Sequence, residues 1–309
     1  MEELKNVRII ETPKMCWVDV SNPTKVEMDY LQQRFHFHSL ALEDCLSITE
    51  RPKIDDYDDY LFIVLFFPIY NYKYRRIEAS ELYVFLGANY LVTVHRGELK
   101  PLIKFFDECM SDLELQDKYM SGLTGYLFYE LLSYMFDYCF PILSKIYRDI
   151  KIIERIIFEK RPSQELTLDI MVVKRNILNY RKIIKPQRAV ILALQHKEKK
   201  FLPEELEDYM GDIGDQIEKI WDMLENNLEL INGAQDANET LISHQINNIM
   251  KLLTIISVII LPLTLISGIY GMNVTLPLQN HPASFFILCV IMIVIAGGML
   301  FYFYKKKWL

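Results

Sequence analysis

Between Leu252 and Tyr304 the chain carries no Asp, Glu, Lys or Arg, yet the first part of that run and its approach hold Asn247, Thr254, Ser257, Thr264, Ser267 and Gly268. Asn247, Thr254, Ser257, Leu261, Thr264 and Gly268 follow one another at steps of three, four or seven, which sets them on one stripe of a helix. Neutral oxygens on such a stripe could line a path for an ion, or could glue one helix to another within a membrane. The spacing is compatible with both. Other groups able to do chemistry are isolated. His36 and His38 stand two apart at a predicted helix end, where packing or capping is the simpler reading than metal chelation. A lone loop histidine, His281, reads as solvated rather than as a transition-metal ligand. The sequence has no P-loop, no H-E-x-x-H, no G-x-S-x-G and no dinucleotide fingerprint, so nothing points to an enzyme or to an organic cofactor.

The elements that must hold this stripe follow from patterning. The 309 residues carry 34 Lys and Arg against 41 Asp and Glu, a net charge of −7 that argues against a nucleic-acid partner. Lys305, Lys306 and Lys307 are the only charges after Lys251, so 31 basic and all 41 acidic residues lie in 1–251. Cys16, Cys45, Cys109, Cys139 and Cys289 are odd in number and scattered, which suits a reducing compartment better than a disulfide framework. The first fifteen residues offer no apolar run of signal-peptide type.

In residues 1–100, Cys16–Val20 reads as a strand, Asn22-Pro23-Thr24 as a turn and cap before a helix to Phe35, and 60–69 and 81–95 as paired strands around Gly87-Ala88-Asn89. This predicts a cytosolic α+β domain of α/β/α-like layers. From 101 to 250 the period becomes helical, with Pro141 kinking or restarting one helix and Arg161-Pro162-Ser163 breaking another. Residues 164–200 read as a long basic helix. Glu204 to Glu229 then holds ten acidic residues against Lys219 alone, and the two runs suggest an antiparallel pair. From Asp215 to Tyr270 only Gly233 and Pro262 could interrupt a helix of about 80 Å, a stalk running into a membrane.

Residues 251–309 predict a two-span membrane domain. A first span, about 252–271, holds nineteen uncharged residues from Leu252 to Tyr270, or roughly 28 Å of helix. A short external loop, about 272–283, and a second span, about 284–304, lead to the tail 305–309. Lys251 and the Lys305–Lys307 cluster place both ends in the cytoplasm, with Phe301 to Tyr304 and Trp308 as an interfacial belt.

Tyr270-Gly271-Met272-Asn273, placed after span one and before a short loop, resembles the signature of the CorA family of divalent-cation channels. Met250-Lys251-Leu252-Leu253-Thr254, Leu261-Pro262-Leu263-Thr264 and Ile266 to Asn273 are similar to the family's pore helix. The terminal Lys-Lys-Lys-Trp-Leu, and Leu42-Glu43-Asp44 followed by Arg51-Pro52-Lys53, are family-like as well. The resemblance covers the whole chain. It implies a homopentameric funnel in the plasma membrane of a prokaryote, with five first spans around the pore. It also implies passive, voltage-driven Mg²⁺ uptake, with Co²⁺ and Ni²⁺ as further cargo. Gly271, Met272 and Asn273 would form the selectivity filter, where side-chain carbonyls accept hydrogen bonds from the ion's own waters, because Mg²⁺ dehydrates reluctantly. Gly271 would allow a tight turn and close backbone approach. Asp236, Asn247 and Thr264 would continue a polar path, and Met250, Leu253 and Leu261 would be hydrophobic constrictions. Glu43 and Asp44 of one subunit and Asp212 of the next would hold regulatory Mg²⁺ that closes the channel, oxygen ligands suiting a hard cation.

Two departures stand out. Gly211 occupies a position beside Asp212 where a basic residue is common, and the external loop, Val274 to Pro282, has no carboxylate where the family usually has one. The alternative readings are a ZntB-like, proton-coupled Zn²⁺ transporter and, further off, a membrane-anchored regulator or enzyme. Gly-Met-Asn rather than Gly-Val-Asn or Gly-Ile-Asn favours the Mg²⁺ channel over the first of these.

Overall fold

The computed structural model of the chain describes residues 5–308 apart from 48, 50, 160–162, 275–276 and 278–281. His281, half of the loop between the spans and Arg161-Pro162 therefore lie outside the described residues. The chain forms two compact units, Met1–Gln235 and Asp236–Leu309.

The first unit is built on a six-stranded sheet: β1 (Val7–Glu11), β2 (Cys16–Ser21), β3 (Lys53–Asp56), β4 (Tyr60–Asn71), β5 (Arg76–Gly87) and β6 (Tyr90–His95), in the order β1-β2-β6-β5-β4-β3. Only β2 and β6 run parallel, Cys16 facing Tyr90 and Ser21 facing His95. The crossover between them holds α1 (Lys25–Phe35), α2 (Ser39–Leu46) and strands β3 to β5. Residues 61–65 of β4 are wholly buried, as a strand covered on both faces must be. Phe37, between α1 and α2, stacks on Phe85 at 4.1 Å on one face. On the other face Trp17 meets Phe106 of α3 (Lys100–Ser111) at 4.8 Å, and Phe67 meets Phe136 of α5 (Thr124–Asp137) at 5.2 Å. Helices α4 (Leu113–Met120), α6 (Cys139–Phe158), α7 (Gln164–Ile184) and α8 (Gln187–Gln195) complete the three layers before α9 (Leu206–Tyr270) begins.

Local chemistry explains several boundaries. Thr24 caps α1: its hydroxyl accepts from the Val26 amide, and Glu27 accepts from the Thr24 amide at 2.8 Å, a reciprocal capping box. Pro141 is the third residue of α6, where a missing amide costs no intrahelical bond, so it restarts a helix rather than kinking one. Pro186 overturns the single helix expected over 164–200: α7 ends at Ile184 and α8 runs only to Gln195, since proline donates no backbone bond. The basic and acidic runs do pack antiparallel. Arg181 pairs with Glu225 at 3.2 Å and Arg188 with Glu218 at 2.6 Å, partners descending as positions ascend.

In the second unit α9 continues without interruption through Pro262, and α10 (Ser284–Lys305) returns. Both helices are long and apolar enough to cross a membrane. Lys251 donates to the Lys307 carbonyl at 3.2 Å and lies 5.7 Å from the Trp308 ring, so the start of the first span and the end of the second share one level.

Candidate functional site

The uncharged part of α9 has two faces. Ile255 is buried, and Ile259, Pro262 and Ile266, at steps of four, three and four, are half-buried. Met250, Thr254, Ser257, Leu261, Thr264 and Gly268, also at alternating steps of four and three, are exposed and lie opposite. The stripe read from the sequence is thus the uncovered side of the helix. Asn247, Leu253 and, toward the helix start, Asp236 are exposed as well.

Each hydroxyl of this stripe is already satisfied as a donor. Thr254 donates to the Met250 carbonyl at 2.8 Å, Ser257 to Leu253 at 2.9 Å and Thr264 to Ile260 at 3.0 Å; Ser267, beside the stripe, donates to Thr264 at 3.1 Å. A hydroxyl that donates backward to its own helix turns its oxygen lone pairs outward. At Thr254, Ser257 and Thr264 the face therefore presents acceptor oxygens, the polarity that suits a cation or the hydrogens of its waters. Between the oxygens stand exposed apolar side chains, Met250, Leu253 and Leu261, at 54, 55 and 68% exposure.

Where α9 ends, the Gly271 amide donates to Ser267 at 2.9 Å and the Met272 amide to Ile269 at 3.2 Å. A side-chain carbon at Gly271 would lie 3.1 Å from the Ser267 carbonyl, a tight contact with the last helical turn, and the glycine's φ is not in the left-handed region. Asn273 follows, exposed, with no hydrogen bond to a described residue. Its amide oxygen and nitrogen are free to bind.

The carboxylates expected to hold a regulatory ion belong to the first unit. Glu43 and Asp44 sit on α2; Glu43 is exposed, while Asp44 is tied to Lys53 at 2.7 Å, which also pairs with Asp55 at 2.6 Å. Burial opposes the Lys53 charge, but the bonds to Asp44 and Asp55 outweigh it and hold the ammonium above the ordinary lysine range. Asp212 is exposed on α9 beside Tyr129, whose hydroxyl is pushed up first by burial and then by the nearby Asp212 charge. Among the described residues no group of three or more His, Cys, Asp and Glu stands close enough to hold a metal. One chain does not bring Glu43, Asp44 and Asp212 together. A substituent at Gly211 would make only ordinary contact with Gln195, at 3.7 Å.

Sequence reasoning missed the Lys53 contact, although Lys53 stood in a motif already singled out. It placed the two histidines well. His36 caps α1 in left-handed conformation, and His38 caps α2 by accepting from the Leu40 amide at 3.2 Å.

The CorA-like Mg2+ transporter protein family model matches residues 13–306. A putative metal ion transporter, YfjQ, of Bacillus subtilis is 34% identical over 87% of this chain and 83% of its own length. The cobalt/magnesium transport protein CorA of Thermotoga maritima is 30% identical over 88% of this chain and 76% of its own. Among solved structures, the CorA magnesium transporter of Methanocaldococcus jannaschii superposes with a TM-score of 0.83 at 22% identity, covering 97% of this chain and 93% of that one.

Proposed function

The chain belongs to the CorA-like Mg²⁺ transporter family, divalent-cation transporters rather than enzymes, and from that membership we propose that it is a passive channel for Mg²⁺. The observation that carries the reading is the uncovered acceptor stripe of α9, which leads to an unpartnered Asn273. Two spans enclose no pore, so the stripe needs copies of itself. A homopentamer would turn five stripes inward and ring five Asn273 amides at the outer end, and it would lie in a prokaryotic plasma membrane with both termini cytoplasmic. Neutral amide oxygens bind the hydrated ion weakly enough to release it, which conduction requires. Inside-negative voltage supplies the drive, about 2.3 kcal/mol per charge per 100 mV. Co²⁺ and Ni²⁺ would pass by the same route. Met250, Leu253 and Leu261 would close it by excluding water, with Asn247, Thr264 and Asp236 as polar stations between and below them.

Closure would come from Mg²⁺ held between subunits. Glu43 and Asp44 of one copy and Asp212 of the next would supply hard oxygen donors. Loss of the ion leaves like charges facing each other and loosens the interface.

Proteoliposomes loaded with a Mg²⁺-sensitive dye test the regulation. Wild-type influx should fall as internal Mg²⁺ is raised, and Asp44→Ala and Asp212→Ala should each need several-fold more internal Mg²⁺ for the same inhibition. Unchanged inhibition in both variants would remove these residues from the sensor. Zn²⁺ flux driven by a proton gradient, with no Mg²⁺ flux, would replace the channel by the Zn²⁺ transporter.

A further inference from the structure

The acidic first unit contains a basic recess. From Ile170 to Gln195 the chain has six cations, Lys174, Arg175, Arg181, Lys182, Lys185 and Arg188, and no carboxylate. The first five line one groove between α7 and α9, with the half-buried Trp221 as its aromatic wall and no acidic residue in the lining. Arg188 lines an adjoining recess that shares Lys185 and Trp221.

The neighbouring helix α6 handles its lysines differently. Lys145 meets Asp149 at 3.0 Å and Lys151 meets Glu154 at 2.7 Å, one turn away in each case. In the groove only Arg181 has a carboxylate, Glu225. Lys174 bonds the neutral Gln235 amide at 3.0 Å, and Arg175, Lys182 and Lys185 have no carboxylate partner among the described residues. Arg181 and Lys185 are held 4.4 and 5.6 Å from the Trp221 ring, which gathers two like charges at one point. Cations crowded this way repel one another, and an anion in the groove would relieve the repulsion.

From this we infer that the groove between α7 and α9 is a binding site for an extended oligophosphate anion, inorganic or esterified to a nucleoside. Lys174 to Arg181 and Arg175 to Lys182 are each seven residues apart, two helical turns or about 10.5 Å. A compact monoanion meets one end of such a double row, whereas a chain of phosphates spans it. Arg175 and Arg181 offer planar forks for two oxygens of one phosphate, and the lysines add point charges. Trp221 lies where ligand binding would shift Arg181 and Lys185 and so change the indole environment.

The test uses the full chain in detergent micelles in Mg²⁺-free buffer, titrated by calorimetry and by tryptophan fluorescence with tripolyphosphate, ATP and orthophosphate. Saturable binding of one tripolyphosphate per chain, weakened by salt and much tighter than orthophosphate, is expected. Equal affinity for ATP identifies the phosphate chain as the recognised part; tighter ATP binding adds a contact to the nucleoside. The double substitution Arg175→Ala, Lys182→Ala should weaken binding roughly tenfold or more, about the loss of one charge-assisted hydrogen bond. The charge-matched control Lys104→Ala, Lys118→Ala, outside the groove, should leave it unchanged. Trp221→Phe should abolish the fluorescence response while calorimetric binding persists. Absence of saturable binding by either oligophosphate, or equal affinity in the Arg175, Lys182 variant and the wild type, overturns the site.

Discussion

Gln187 is a buried side chain whose loss should destabilise the sheet by an amount readable from its contacts. Strand β3 pairs with β4 only as far as Lys53 opposite Val64, so the outer edge of β4 is unpaired at Phe66. Gln187, the first residue of α8 and wholly buried, takes the place of the missing strand: its Oε1 accepts from the Phe66 amide at 3.2 Å, and its Nε2 donates to the Phe66 carbonyl. Gln187→Met keeps the volume and removes both bonds. Each orphaned buried backbone group costs about 1–3 kcal/mol, so the pair should cost about 2–6 kcal/mol. At ~2–4 °C per kcal/mol for a domain of this size, thermal unfolding in detergent should shift down by about 4–24 °C. Gln195→Met is the internal comparison, because Gln195 makes one long bond, 3.4 Å to the Glu207 carbonyl near solvent, and should change stability by less than about 0.5 kcal/mol. If both variants unfold with the wild type, the amide is not completing the ladder and the reasoning fails.

Two further predictions concern the same unit. Burial pushes the Asp19 carboxyl up, but the His95 ring 3.3 Å away and bonds from Arg8 and Thr93 outweigh it and leave it below the ordinary aspartate range. Its stabilising contribution is therefore full above the unfolded-state value of about 3.9 and lost as pH falls through the lower folded value, and Asp19→Asn should flatten the acid limb of a stability–pH curve. Gly125 donates to the Phe201 carbonyl at 3.1 Å, and a side-chain carbon there would stand 2.7 Å from Pro203 and 3.1 Å from the Leu202 backbone. Gly125→Val should cost about 1–3 kcal/mol in thermal unfolding, while Gly122→Ala, which meets nothing within 4 Å, should be close to neutral.

The readable parts of the sequence were those with local causes. The β-rich run Cys16–Val20, the Thr24 cap, the apolar run of β4 and the uncharged runs of α9 and α10 all have causes within a few residues, and the structure has these elements there. The stripe on α9 was legible because one helix face repeats at steps of three and four. What sequence did not reveal depends on residues far apart. Arg8, Asp19, Thr93 and His95 meet on one face of the sheet, Arg8 at 2.7 Å and Thr93 at 2.8 Å from Asp19, across spacings no periodicity encodes. Asn176 and Asn179 bond the free edge of β5 at Ile77, as Gln187 bonds β4, and each reads in sequence only as a polar residue in a helix. The split at Pro186 had a local signal, but the basic run on both sides of it masked the break.

The central claim is that the stripe of α9 and the amide of Asn273 form the path of a hydrated Mg²⁺. Influx of Mg²⁺ into dye-loaded proteoliposomes at imposed inside-negative voltage, wild type against Asn273→Ala, tests it most directly. Wild-type influx should rise with voltage, and the variant should lose most of it, about tenfold or more if a ring of hydrogen bonds to the ion's waters is removed. A variant that conducts Mg²⁺ at the wild-type rate and voltage dependence would contradict the account.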